Sequence, residues 1–167
     1  MAKTFSLLGI ALSLLFAMPA AAAEGDAAAL PSKLKEAKVS LQQGLSASAK
    51  YGKPISGKFE VEDGKLQLSV YTARGDGFSE VIVDHKTGKV VKAEPITGGD
   101  DLAAAKAQNE AMAKAKTSLS AAVSRAVKEN KGYRAVSATP AMKDSHPTAE
   151  ITLLKGPESK TVSEALD

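Results

Sequence analysis

Ala37-Lys38-Val39-Ser40-Leu41 returns as Ala115-Lys116-Thr117-Ser118-Leu119, four identities in five at an offset of 78 residues, and internal repetition of this kind has to be settled before any fold is read. Each copy is followed by the same order of signals: a helical stretch, a polar break, then short alternating segments. In the first copy Leu34, Ala37, Leu41, Leu45 and Ser48 fall at helical spacing, a narrow apolar stripe. Ser32 after Pro31 predicts the N-cap, and Tyr51-Gly52 ahead of Pro54 predicts the end of that helix.

Beyond it the period drops to two. Phe59 and Val61 alternate with Lys58, Glu60 and Glu62; Asp63-Gly64 is a two-residue hairpin signal; Leu66, Leu68 and Val70 alternate with Gln67, Ser69 and Tyr71. After Arg74-Gly75-Asp76-Gly77 comes a strand over 78–84 centred on Val81-Ile82-Val83, and His85-Lys86-Thr87-Gly88 turns the chain into a last strand over 89–94. Such a helix, laid on three or four antiparallel strands, buries both apolar faces in two layers.

Gly98-Gly99-Asp100-Asp101 interrupts the pattern and starts a second helix that begins in the alanine-rich 102–115 and runs toward Asn130, with Leu119, Ala122, Val123, Ala126 and Val127 as its buried stripe. Strands follow over 133–139, 148–154 and 160–164, with Pro140 and Pro147 marking the first turn and Gly156-Pro157 the second. The expected class is α+β: tandem two-layer modules, 24–98 and 99–167, each a helix on a three- to four-stranded antiparallel sheet.

Residues 1–23 read as a secretory signal peptide, with Lys3 in the n-region, a fourteen-residue apolar run over 5–18 and Ala21-Ala22-Ala23 before the cleavage point. The run is shorter than the roughly 20 residues that span a bilayer, so no membrane anchor is expected after cleavage and the address read from it is the periplasm. The chain has no cysteine, which removes thiol nucleophiles, cysteine–zinc sites and disulfides from consideration. Without Lys3 the 22 basic residues become 21 against 19 acidic ones, about +1 in each half. With aromatics at 4% of the chain and no segregated basic face, nucleic acid is not an expected partner.

The run "GKFEVEDGKLQLSVYTA" followed by "FSEVIVDHKTGKVVKAE" resembles a PepSY domain, and Val83-Asp84-His85-Lys86-Thr87-Gly88-Lys89-Val90-Val91 is similar to that family's strand–turn–strand ending V-D-x-x-T-G-K-V. The likeness covers about 32–96. The second copy fits by element order and lacks the D-x-x-T-G turn, ending on Thr161-Val162-Ser163-Glu164-Ala165-Leu166-Asp167. The resemblance implies an exported protein that restrains a peptidase by protein–protein contact, with no catalytic residues to carry over; no cofactor or metal is expected. Tandem units of this kind also resemble certain secreted enzyme inhibitors in architecture, a likeness that does not fix function.

The residues themselves point the same way. His85 and His146 are the chain's two histidines, each expected at the surface and far apart in sequence, and no nucleophile–base, zincin, P-loop or dinucleotide motif occurs. Arg74-Gly75-Asp76 reads as an ordinary turn, and Asp100-Asp101 as a helix start. Two functions remain: a binding module that takes an extended peptide along a sheet edge, or a periplasmic small-ligand carrier or sensor domain, which would need a cavity. For the first, the candidate binding residues are the edge and turn Val81, Val83, Asp84, Thr87, Gly88 and Lys89, with 160–164 as a second candidate edge. An exposed edge favours the binding module, a lined pocket the carrier.

Overall fold

The computed structural model describes residues 24–167; the signal-peptide reading of 1–23 lies outside them. Helix α1 (Glu24–Lys33) passes into a single 3-10 turn over Leu34–Glu36, and the chain then straightens at Ala37, with φ −76° and ψ 125°. Helix α2 (Leu41–Ser48) starts afresh. The expected single helix capped by Ser32 is therefore two pieces: the Ser32 hydroxyl lies within α1, donating to the Ala29 carbonyl at 2.7 Å. Ser40 is the N-cap. Its hydroxyl accepts from Gln43 N–H at 3.2 Å while Gln43 Oε1 accepts from Ser40 N–H at 2.7 Å, a reciprocal capping box.

The break has a cause outside the helix. Lys38 and Val39 both donate their N–H groups to the His85 carbonyl, at 2.9 and 3.2 Å, so neither continues a helical ladder. The second copy does the same. Instead of one helix from 102 to 130 there are α3 (Gly99–Lys114) and α4 (Leu119–Glu129); Lys116 and Thr117 N–H both reach the Leu166 carbonyl, at 2.7 and 2.8 Å. Ser118 then caps α4 through Ala121 N–H. The repeated A-K-x-S-L is a non-helical connector ending in a cap, and its leucine, Leu41 or Leu119, is the first buried residue of the new helix.

The α+β class holds, with every strand antiparallel. The strands are β1 (Lys53–Glu62), β2 (Lys65–Arg74), β3 (Gly77–Val83), β4 (Val90–Pro95), β5 (Arg134–Lys143), β6 (His146–Lys155) and β7 (Glu158–Ala165), and they form a single seven-stranded sheet ordered β4-β3-β2-β1-β5-β6-β7. Each half lays a helix on its own strands as expected, and the two half-sheets join where β1 meets β5, pairing Gly57 with Ala138 and Lys58 with Ser137.

The repeat is closer in three dimensions than in sequence. Asp63-Gly64 and Asp144-Ser145 make matching turns, with φ 49° and 71° in the first and 49° and 67° in the second. Gly75 and Gly156 match at φ 58° and 59°. A register shift between Pro54 and Ser56 recurs between Ala135 and Ser137. All these pairs lie 81 residues apart, so Gly57 and Ala138, which face each other at the join, are equivalent positions and the two halves meet about a local two-fold axis. The turn expected between Pro140 and Pro147 falls at Asp144-Ser145 instead, with Pro140 inside β5 and Pro147 inside β6.

Helices α2 and α4 cover one face of the sheet. Leu41, Leu45, Leu119, Val123 and Ala126 are buried against Leu68, Val70, Val81, Ile151 and Leu153. The approach is close: a Cβ at Gly44 would stand 2.4 Å from Leu68 Cδ2. Helix α3 packs on the opposite face, where the Tyr71 hydroxyl donates to Asp101 at 2.7 Å. Arg134 ties the halves together, its guanidinium donating to the carbonyls of Leu34 and Ala37, at 3.2 and 3.1 Å, and of Val39.

Replacing Ser40 by alanine is expected to lower stability by about 1 kcal/mol in urea denaturation, whereas Ser32→Ala stays within about 0.5 kcal/mol. Equal losses at the two serines would contradict the assignment of the caps.

Candidate functional site: the edges of the sheet

Of the residues the sequence singled out, Val81 and Val83 are core. They lie on β3, which is paired on both sides, by β2 and by β4, and their side chains are buried under the helices. Asp84, Thr87, Gly88 and Lys89 do come together, in a turn that satisfies itself. Asp84 Oδ1 accepts from the N–H groups of Lys86 and Thr87 and from the Thr87 hydroxyl, at 3.0, 2.6 and 2.8 Å. Asp84 N–H reaches the Lys89 carbonyl and Gly88 N–H the Asp84 carbonyl, both at 2.8 Å. Gly88 holds φ 73° and lies against Val39, a position a side chain would strain. The D-x-x-T-G sequence is thus the clasp between β3 and β4, and it presents the His85 carbonyl to the α1–α2 connector.

His85 is half-buried rather than exposed, with Nδ1 enclosed and no partner among the described residues; its place in the second half is taken by the fully buried Leu166. His146 is exposed and meets Asp167 at 2.7 Å, which holds the Asp167 carboxyl below the ordinary carboxylate range. The two histidines do not converge, and the described residues contain no group of three potential metal ligands. Glu60 and Glu62 both accept from the Gln67 amide, and Glu60 pairs with Lys58 at 2.6 Å. Arg74 of the Arg-Gly-Asp turn donates to the Lys50 carbonyl.

The true edges are β4 and β7. In an antiparallel pair, alternate residues direct both backbone groups toward the neighbour and the others direct both away. Ile96 N–H bonds the Phe78 carbonyl at 2.9 Å, so Glu94 and Lys92 face β3 and the outward groups belong to Ala93 and Pro95. Proline has no N–H to offer, and a register shift between Ile82 and Val83 distorts the other end. This edge is blunted in the usual manner, although Val91 is 65% exposed on it.

β7 carries no such protection. Leu166 N–H bonds the Pro147 carbonyl at 2.9 Å, which turns Glu164, Val162 and Lys160 toward β6 and leaves Ser159, Thr161, Ser163 and Ala165 facing out. No proline, glycine or register shift interrupts the strand. β7 corresponds to β3, yet among the described residues nothing stands beside it as β4 stands beside β3. The sequence held a signal for this difference: Ala165 stands where Asp84 begins the clasp of the first half.

Cavities are modest. A polar cleft of about 250 Å³ lies between α3 and the sheet, lined by Ser56, Lys58, Ser69, Tyr71, Asp101 and Gln108; Gln108 Oε1 is buried there without a partner among the described residues. Burial, and then the neighbouring Asp101, pushes the Tyr71 phenol well above its ordinary range. A more apolar hollow of about 210 Å³ includes Leu45, Pro54, Met112 and Leu119. Both fall short of the roughly 300–1,000 Å³ of ordinary ligand sites. A third, of about 390 Å³, is an open hollow beside the β3–β4 turn, with Lys33, Glu36 and Lys86 among its lining residues. No family model, curated protein or solved structure matches the chain.

The clasp makes a pH prediction. The Thr87 hydroxyl and N–H hold the Asp84 carboxyl below its ordinary range, so its contribution is complete above the unfolded value near 4 and is lost as pH falls through the lower folded value. Asp84→Asn should lower the urea midpoint at neutral pH and leave a smaller further loss on acidification than the parent shows; an unchanged acid response would contradict the clasp.

Proposed function

We propose that the protein is an exported, non-enzymatic binding module that takes an extended segment of a partner protein onto the outer edge of β7, and that the partner is a peptidase restrained by this contact. One observation carries the reading: four consecutive outward positions, Ser159, Thr161, Ser163 and Ala165, on a strand that holds no proline or bulge and that no neighbouring element among the described residues covers. Main-chain pairing of this type supplies affinity with little dependence on the partner's sequence, and alternate side chains add specificity. The PepSY resemblance of residues 32–96 and the signal-like start of the chain support the periplasmic, peptidase-directed part of the reading.

Carriage of a small polar molecule is the second reading, favoured by the buried, unpartnered Gln108 Oε1 on the cleft between α3 and the sheet.

The deciding variant is Thr161→Pro, which removes one outward N–H from an edge strand while leaving the β6 ladder its donors. Against a peptidase retained from periplasmic extract, the parent protein should lower activity in proportion to the amount added, and Thr161→Pro should weaken that effect at least about tenfold, the loss of roughly 1.4 kcal/mol. Inhibition that survives Thr161→Pro and fails on Gln108→Ala would move the site to the α3 cleft.

A further inference from the structure

The outer edge of β7 is complementary to itself, and we propose that it pairs with the same edge of a second copy of this chain, antiparallel and centred on Val162. In that register Ser159 lies opposite Ala165 of the second copy and Thr161 opposite its Ser163, and both relations occur twice. These four are the residues whose N–H and carbonyl groups face outward, so every outward group from 159 to 165 finds a partner and none is left over. Val162 meets Val162 on the axis as a non-hydrogen-bonded pair.

Charge selects this register over its neighbours. Centring on Val162 sets Lys160 opposite Glu164 of the second copy, twice, a favourable cross-strand pair. Glu164 holds Arg125 through Oε2 at 3.3 Å, which leaves Oε1 for the lysine. Centring on Thr161 would set Glu158 against Glu164, two like charges; centring on Ser163 would set Lys160 against Leu166 and lose the ion pair. β4 offers no equivalent, because Pro95 removes a donor and the register shift at Val83 bends the strand.

The arrangement repeats what the chain does internally, where equivalent residues Gly57 and Ala138 face each other across β1 and β5. The proposal rests on the reading of β7 as an open edge and adds a regulation to it: the second copy closes the edge until a partner strand displaces it.

The test uses the full-length chain as the expressing cell processes it. Sedimentation velocity should show a dimer that dissociates on dilution. The chain has no cysteine, so Val162→Cys introduces a single thiol, and its Cα would lie about 4.5 Å from its counterpart, within the span of about 4.4–6.8 Å that a disulfide bridges. Air oxidation should convert that variant to a covalent dimer while Val91→Cys, on the blunted edge, stays monomeric. Val162→Glu and Val162→Lys should each sediment as folded monomers, and an equimolar mixture should restore the dimer. A parent protein that is monomeric at all concentrations, or equal cross-linking at 91 and 162, overturns the proposal. Loss of peptidase restraint in Thr161→Pro alongside a monomeric parent would leave the open-edge reading standing and remove only self-pairing; a dimer that no peptidase displaces would do the reverse.

Discussion

Two carbonyl groups organise the molecule. His85 and Leu166 each receive consecutive N–H groups from the connector that precedes a core helix, Lys38 and Val39 in one half and Lys116 and Thr117 in the other. A carbonyl oxygen has two lone pairs, so one acceptor satisfies both donors and stops the upstream helix from propagating. The same bonds anchor the start of α2 and α4 at the end of β3 and β7, and so fix where Leu41 and Leu119 enter the core. Ser40 and Ser118 complete the device by capping the helices that result. The placement of α2 and α4 over the sheet in each half follows from that anchor.

Duplication of the anchor leads to a shared sheet. A lone half would expose the outer side of β1; pairing the two β1-type strands covers it, and equivalent residues meet at the axis because both bring the same edge. Gly57 suits the position, since a Cβ there would lie 3.1 Å from Leu45 and 3.2 Å from Leu41. Arg134 adds a polar tie across the halves, its guanidinium lying over the Phe59 ring at 5.3 Å as it donates to three carbonyls of the first half. The halves then differ at their outer limits: among the described residues the first folds back through the Asp84 clasp into a blunted strand, and the second places β7 at the edge.

The α+β class, the hairpin at Asp63-Gly64 and the repeat itself were legible because each rests on local chemistry: period-two alternation, a turn dipeptide, a pentamer repeated with one substitution. What the pentamer does was not legible. Ala37 and Leu41 lie at helical spacing, and only the distant His85 carbonyl interrupts that helix. The same non-locality hid the edges. Val81-Ile82-Val83 has the composition of any half-buried strand, and its interior place in the sheet depends on β4 pairing beside it. Pro140 and Pro147 looked like turn residues, yet both sit within paired strands while Asp144-Ser145 supplies the positive φ values. The second edge, 160–164, was visible as a strand, but which of its backbone groups face outward follows from the Leu166–Pro147 bond, a contact across the hairpin.

Residue-resolved amide hydrogen exchange along β7 reports which of its backbone groups are open to a partner strand. Protection is expected to alternate, with Lys160, Val162 and Glu164 slow at every protein concentration and Ser159, Thr161, Ser163 and Ala165 fast in dilute solution. Uniform protection along the strand in dilute solution, or the opposite alternation, would contradict the open edge and the register on which it depends.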